Sequence, residues 1–252
     1  MALITVSVTD GIGQLRLNRP QARNAFNREL IDAFRRQLEV LADRDDLKAL
    51  VISGASNKKS GKPVFAAGAD IAELLTRTAQ DAFAARLQKL FQEVEDFPRP
   101  VIAAIDGFAL GGGLELALAC DLRVAARTAL LGLPEVGLGI FPSAGTAVRL
   151  PRLVGLGYAK LMVLTGQLIS AETAHERGLV DVLVAENALA GALEAAGRIA
   201  RHDAAAVRVA KAVMNGAAAG GRGAPLEWLG QASLVDSKEK KRRMQAFLSK
   251  RT

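Results

Sequence analysis

Apolar positions fall into short runs in the first half of the chain and into helical spacings in the second. Leu3 to Val8 and Gln14 to Asn18 read as two strands around Asp10-Gly11, so a hairpin opens the protein. Leu30, Phe34, Leu38 and Leu41 recur at helical spacing. Ala49 to Ser53 is a short buried-strand run, and a polar loop from Ser56 to Pro63 follows it. Asp70, with Glu73 three residues on, has the form of a capping box and predicts a helix from Ile71 that Phe83, Leu87, Leu90 and Val94 extend. Beyond Pro98 and Pro100 the pattern predicts a strand at Val101–Ile105, a glycine-rich turn at Gly107–Gly113, a nearly all-apolar helix at Leu114–Cys120, and a strand at Leu122–Ala125. Leu130–Ile140 reads as part strand, part turn. From Ala144 the spacing is helical, with a strand near Leu179–Val184, a helix C-cap at Gly178, a loop at Gly216–Pro225 and an exposed helix or helix pair over Leu226–Lys250. Strand–helix alternation followed by helices implies an α/β core with a helical C-terminal layer.

Composition narrows this picture. With 252 residues, half of them apolar, the chain can bury a substantial core as one domain. No run reaches the ~18–20 apolar residues of a membrane span. The longest candidate, Val101–Cys120, is broken by Asp106, four glycines and Glu115. Met1 to Val8 has no targeting pattern, so a cytoplasmic protein is expected. Cys120 is the single cysteine, which excludes an internal disulfide and a cysteine zinc site; it is expected in the core, and His175 and His202 are poor grounds for a metal. Lys and Arg outnumber Asp and Glu by 33 to 26, a net +7 that suits nucleic acid or a small polyanion. The excess gathers at Lys58, Lys59 and Lys62 and at Lys238, Lys240, Lys241, Arg242 and Arg243. No aromatic residues are interleaved with these clusters, as grooves for single strands require. An RNA-binding module is therefore the weaker of the two function classes weighed.

Two glutamates stand out by their isolation. Glu115 is the only charged residue between Asp106 and Asp121, and Glu135 the only one between Arg127 and Arg149. Burying such a carboxylate disfavours its charged form and brings it within reach of proton transfer near neutral pH. Taken alone, each is as readily explained by a solvent-facing position or, at Pro134-Glu135, by a turn. Glycines stand before two of the predicted helices: Gly68-Ala69 before the one capped by Asp70, and Gly111-Gly112-Gly113 before the one carrying Glu115. Two backbone N–H groups converging there would form an oxyanion hole, although each site alone reads as an ordinary tight turn. Gly54 to Lys62 fails as a P-loop, having six residues between its glycines and Pro63 where Ser or Thr is needed. Gly107–Gly113 does not fit the dinucleotide fingerprint. A glycosidase could use paired carboxylates, but one Trp and one Tyr leave little for stacking on a sugar.

Five stretches carry a family resemblance: Asn18–Ala25, Phe65–Ile71, Ile105–Leu116, Leu133–Gly139, and Leu164 through Gly178-Leu179-Val180. On these the chain resembles the crotonase (enoyl-CoA hydratase/isomerase) superfamily over almost its whole length, and is most similar to the enoyl-CoA hydratases. The resemblance implies a spiral of ββα units (taken here as residues 1–195) and a helical C-terminal trimerisation region (196–252). It also implies a trimer or a hexamer built as a dimer of trimers, and an acyl-CoA thioester as substrate. Coenzyme A is then part of the substrate, and no separate cofactor or metal is expected. By the same resemblance the activity is that of a lyase, syn hydration of a 2-enoyl-CoA, in fatty acid metabolism. The Ala69 and Gly112 amides would form the oxyanion hole, Glu115 would activate water and Glu135 would protonate C2. Isomerases of the superfamily generally keep only the carboxylate corresponding to Glu135; they and acyl-CoA hydrolases are the alternative readings. Substrate contacts are implied at Arg23, Ala25, Ala67, Gly68, Asp70 and Ile71, with the CoA nucleotide near the first three. Two departures stand out. Ala144-Gly145-Thr146 lies where relatives often carry adjacent glycines, and a basic stretch from Ser237 to Arg243 replaces a usually acidic one.

Overall fold

The expected hairpin forms as β1 (Ile4–Thr9) and β2 (Ile12–Leu17), turned by Asp10 and Gly11, both at positive φ. The computed structural model describes residues 2–56, 63–221 and 223–249; Gly61 and the basic group Lys58, Lys59 and Lys62 lie outside them. Helix α1 (Arg28–Ala42) follows, capped by the Asn27 side chain, and buries Leu30, Phe34, Leu38 and Leu41.

Among the described residues one unit then repeats three times. Its first strand joins a six-stranded sheet, its second joins a four-stranded sheet, and a helical segment returns the chain. The first unit is β3 (Ala49–Gly54), β4 (Val64–Ala66) and helices α2 (Ile71–Leu75), α3 (Ala79–Phe83) and α4 (Arg86–Glu95). The second is β5 (Val101–Ile105), β6 (Phe108–Leu110) and α5 (Gly112–Ala119). The third is β7 (Leu122–Ala126), β8 (Leu130–Gly132), a 3-10 turn at Pro134–Leu138 and α6 (Thr146–Thr165). This is the spiral of ββα units that the resemblance implied. The small sheet ends with β9 (Leu168–Ser170), antiparallel to β8; after α7 (Ala171–Glu176), β10 (Val182–Val184) pairs parallel with β7 and completes the order β1-β2-β3-β5-β7-β10.

Successive side chains of a strand point to opposite faces, so with both faces covered β5 is apolar throughout and β3 is so but for the buried Ser53. Leu50, Ile52, Val101, Ala103 and Ile105 enter the main core with α1, α4 and α5. Val51, Ile102, Ala104 and Val124 instead meet Ala188, Ala192 and Ala196 of α8 (Ala188–Ala200), whose small side chains let helix and sheet approach closely. Every residue of α5 is buried, as an all-round apolar helix requires. Cys120 belongs to this core, and burial pushes its thiol up to about 12.

Several elements differ from the expected ones. The helix predicted from Ile71 is three helices, separated by a Thr78–Asp81 capping box and by Ala85 at φ +49°. Asp70 caps α2 through the Ala72 N–H, but Glu73 does not complete a box; its carboxylate accepts from the Arg28 N–H at the start of α1. The glycine-rich turn contains β6, and β9 is a strand where only helix was expected. The loop at 216–225 is shorter, because α9 (Ala204–Ala218) continues into it and α10 begins at Gly223. The chain ends as a helix pair, α10 (Gly223–Val235) and α11 (Lys238–Leu248). In α11 Glu239 binds both Arg242 and Arg243 at 2.6 Å, so part of the basic cluster is paired. Among the described residues no helix is long and apolar enough to cross a membrane.

Candidate active site

Strands β4, β6 and β8 lie side by side and parallel, so their carboxyl ends open at one edge of the small sheet. Ala67-Gly68-Ala69 follows β4, Gly111-Gly112 follows β6, and Pro134-Glu135 follows β8. Three segments far apart in sequence thereby reach one cleft of about 360 Å³, which Glu115 of α5 also lines. Clefts beyond the carboxyl ends of parallel strands are the usual place for ligands in α/β proteins.

Glycine is required at two of the points where these segments touch, Gly111 and Gly113. A Cβ on Gly113 would lie 2.1 Å from the Ala66 carbonyl oxygen, so only glycine lets α5 start against the end of β4. Gly111 has φ +52°, and a Cβ there would lie 2.9 Å from Glu135 Oε1. A Cβ on Gly112 would project between the segments, 3.5 Å from the Ala69 nitrogen and 3.1 Å from Leu87 Cδ2. The Ala69 peptide is fixed on both sides. Gly68 O accepts from Phe26 N–H and Asp70 N–H donates to Phe26 O, at 2.8 and 2.9 Å. Among the described residues neither the Ala69 nor the Gly112 N–H donates a hydrogen bond. Helix α2 has five residues, so peptide orientation, more than a helix dipole, sets the field at Ala69.

The two glutamates are bonded in opposite ways. Glu115 is 3% exposed, and its Oε1 accepts from Ala144 N–H at 2.7 Å and from the Thr146 hydroxyl at 2.8 Å. Burial pushes its carboxyl above the ordinary range, while these donors and the Arg149 charge pull the other way. Glu135 is half-buried, and its buried Oε2 has no hydrogen-bond partner among the described residues. Burial pushes this carboxyl up to about 7, and repulsion from Glu115 adds to the rise. One carboxylate therefore sits among donors, and the other is held close to neutrality.

Of the residues singled out from the sequence, Ala67, Gly68, Ala69, Ile71, Gly112, Glu115 and Glu135 line this cleft. Asp70 lines an adjoining cavity, its carboxylate held below the usual range by Arg19 at 2.6 Å. Arg23 and Ala25 line neither. Arg23 is exposed at φ +53°, its carbonyl accepting from Ala67 N–H, and Ala25 is buried.

Sequence reasoning missed the support behind Glu115. Arg149 donates to the Ala144 carbonyl at 3.0 Å and binds Glu95 of α4 at 2.6 Å. Gly145 has φ +113°, and a Cβ there would lie 1.8 Å from Arg149 Nη1. The departure at Ala144-Gly145-Thr146 was the available signal, although the sequence alone does not show that it faces Glu115. Also missed was Asn24, fully buried, whose Nδ2 donates to Ala55, Val64 and Phe65 carbonyls and pins the β4 end.

With this geometry in place, the comparisons are consistent with it. The family described as enoyl-CoA hydratase/isomerase matches residues 7–252. A crotonyl-CoA hydratase of Syntrophomonas wolfei is 42% identical over 84% of this chain and 81% of its own length. A 2,3-dehydroadipyl-CoA hydratase of Escherichia coli is 40% identical, again over 84% of this chain and 81% of its own length. The crystal structure of an enoyl-CoA hydratase from Bacillus anthracis superposes with a TM-score of 0.92 at 35% identity, covering 98% of this chain and 96% of that one.

Proposed function

The chain belongs to the enoyl-CoA hydratase/isomerase family, and on that premise we propose that it hydrates the 2,3 double bond of a 2-enoyl-CoA thioester. The observation that carries the reading is the contrast between two glutamates in one cleft, one among donors and one near neutrality, beside two uncommitted backbone N–H groups. The thioester oxygen accepts from Ala69 and Gly112, which stabilises the enolate as it forms. Glu115 orients a water and takes its proton as the oxygen bonds to C3. Glu135, neutral at the outset, gives its proton to C2 on the same face. Proton exchange then resets the pair. A double-bond isomerase needs one shuttling carboxyl and no water, so a second glutamate held ready for a water favours hydration.

The reading extends to the whole molecule. Arg23, exposed and without an ionic partner among the described residues, suits a CoA phosphate near Ala25 and Ala67. No described residue of α9, α10 or α11 is fully buried within the chain, and Trp228 and Met214 are each 71% exposed, as expected if these helices pack between subunits of a trimer or a dimer of trimers. Light scattering checks this assembly, and a stable monomer at micromolar concentration refutes it. A cytoplasmic place in fatty acid metabolism belongs to the same reading. Loss of the enone absorbance of crotonyl-CoA, with 3-hydroxybutyryl-CoA as product, tests the activity. A panel of 2-enoyl-CoAs left unchanged overturns it.

A further inference from the structure

We infer that Thr146 positions the catalytic water: its hydroxyl and the Ala144 N–H together occupy Oε1 of Glu115, which leaves Oε2 as the oxygen available to a water in the cleft. The inference rests on the hydratase reading and assigns a role to a side chain in the stretch where the sequence departs from its relatives. Thr146 is the first residue of α6 and 3% exposed, so water does not readily replace its hydroxyl. The turn before it is fixed from behind. Arg149 fills the space beside Gly145, holds the Ala144 carbonyl at 3.0 Å and is itself held by Glu95 at 2.6 Å. N–H and hydroxyl therefore reach Oε1 as one unit, at 2.7 and 2.8 Å. Both of these hydrogen bonds end on Oε1, the Thr146 N–H adds a further backbone donor to the carboxylate, and Glu115 lines the cleft. A carboxylate with one oxygen tied can turn only its other oxygen toward substrate, which fixes where the water sits.

The same hydroxyl favours the ionised form of Glu115, opposing burial. The charged groups around Glu115 are Arg149 of α6, paired with Glu95 of α4, and Glu135 across the cleft; Arg123 of β7 lies at the far end of α5, bonded to the Cys120 carbonyl and to Asp181. Strands β4 and β6 bring no titratable side chain.

Thr146→Val keeps the shape and removes the donor, whereas Thr146→Ser keeps the donor. In Thr146→Val the rising acid limb of the kcat/KM profile should move up by about one pH unit, kcat at pH 7 should fall about tenfold or more, and KM should change little. Thr146→Ser should restore both. A purely structural role would lower thermal stability and leave the limb in place. Wild-type hydration with an unmoved limb in Thr146→Val overturns the inference while leaving the hydratase reading intact. A test independent of turnover is the Glu115 carboxyl titration, followed by 13C NMR in glutamate-labelled protein and assigned with Glu115→Gln. Its midpoint should rise in Thr146→Val and not in Thr146→Ser, and equal midpoints in wild type and Thr146→Val overturn the inference even if no hydration is found.

Discussion

The two sides of the cleft hold the same side chain under opposite conditions. On the α5–α6 side, Glu115 meets an N–H and a hydroxyl, with an Arg149–Glu95 pair locking the turn that supplies them. On the side of the Pro134–Leu138 turn, Glu135 faces Gly111, which has no side chain to offer, and its Oε2 has no partner among the described residues. Leaving a buried carboxyl oxygen unsatisfied costs stability, so natural structures rarely do it without a use. On the proposed reading, this difference is what lets one residue type serve as acceptor and donor in one site. Hydrogen bonds favour the charged form, and bare burial favours the neutral one.

The largest effects should come from erasing that difference at its source. Glu115→Gln and Glu135→Gln keep volume but cannot exchange a proton, so each should lower kcat for crotonyl-CoA by about 10²-fold or more. The double variant should lose far less than the product of the single losses, because the proposed mechanism has both groups serve one water addition. Isomerisation of a 3-enoyl-CoA, where the wild type shows any, should survive Glu115→Gln better than Glu135→Gln. Near-normal hydration in both single variants would remove the glutamates from the chemistry. Next in size is Gly112→Val, whose side chain would project toward the Ala69 nitrogen and Leu87. It should cost about 10²-fold in kcat while circular dichroism reports an intact fold; retained turnover would exclude Gly112 from the oxyanion hole.

Much of this was legible in the sequence, and the gaps have physical causes. A charge isolated in apolar surroundings is visible along the chain, which is how Glu115 and Glu135 emerged. The buried strands β3, β5 and β7 also emerged, because two covered faces leave a run that is apolar but for Ser53 in β3 and Arg123 in β7. Strands β6 and β9 have three residues each, too few for a period to register, and Gly107 and Gly111 made β6 resemble a turn. Missing β6 also hid the alignment of three strand ends that assembles the cleft. The break after α2 was missed although the Thr78–Asp81 capping box that starts α3 is local, because Asp stands at its third position where Glu or Gln is the usual signal. Thr146 was noticed only as a departure, since its contact with Glu115 spans 31 positions.

A smaller effect should appear in the pH dependence. The proposed mechanism needs Glu115 ionised and Glu135 neutral, so kcat/KM should rise as the first loses its proton and fall as the second does. Glu135 lies at about 7, and burial moves Glu115 upward from 4.5 by less than its isolation would suggest, because donors oppose it. The falling limb should therefore lie near pH 7, with activity at pH 9 well below its maximum. The two limbs belong to the coupled pair, so their spacing also reports the repulsion across the cleft. A profile that keeps rising through pH 9 would mean that Glu135 does not act as the acid.

The smallest expected effect lies in stability, where the contrast can be read without substrate. Glu135 holds its proton more tightly folded, at about 7, than unfolded, near 4.5. The folded state therefore binds more protons between those values, and stability falls as pH rises through that window. Above it, the wild type carries the full cost of an ionised, half-buried carboxylate, whereas Glu135→Gln does not titrate. The Tm difference between Glu135→Gln and wild type should grow from pH 4.5 to 7 and then level off, with the variant higher at pH 8 by about 2–4 °C. Glu115→Gln should gain less at pH 8, because the Ala144 and Thr146 donors lose a charged acceptor when the carboxylate is replaced. Calorimetric scans of the three proteins from pH 4 to 9 give the comparison directly. A Glu115→Gln gain equal to or larger than that of Glu135→Gln would mean that the donors on the α5–α6 side do not hold a charge, and the distinction between the two sides would fail.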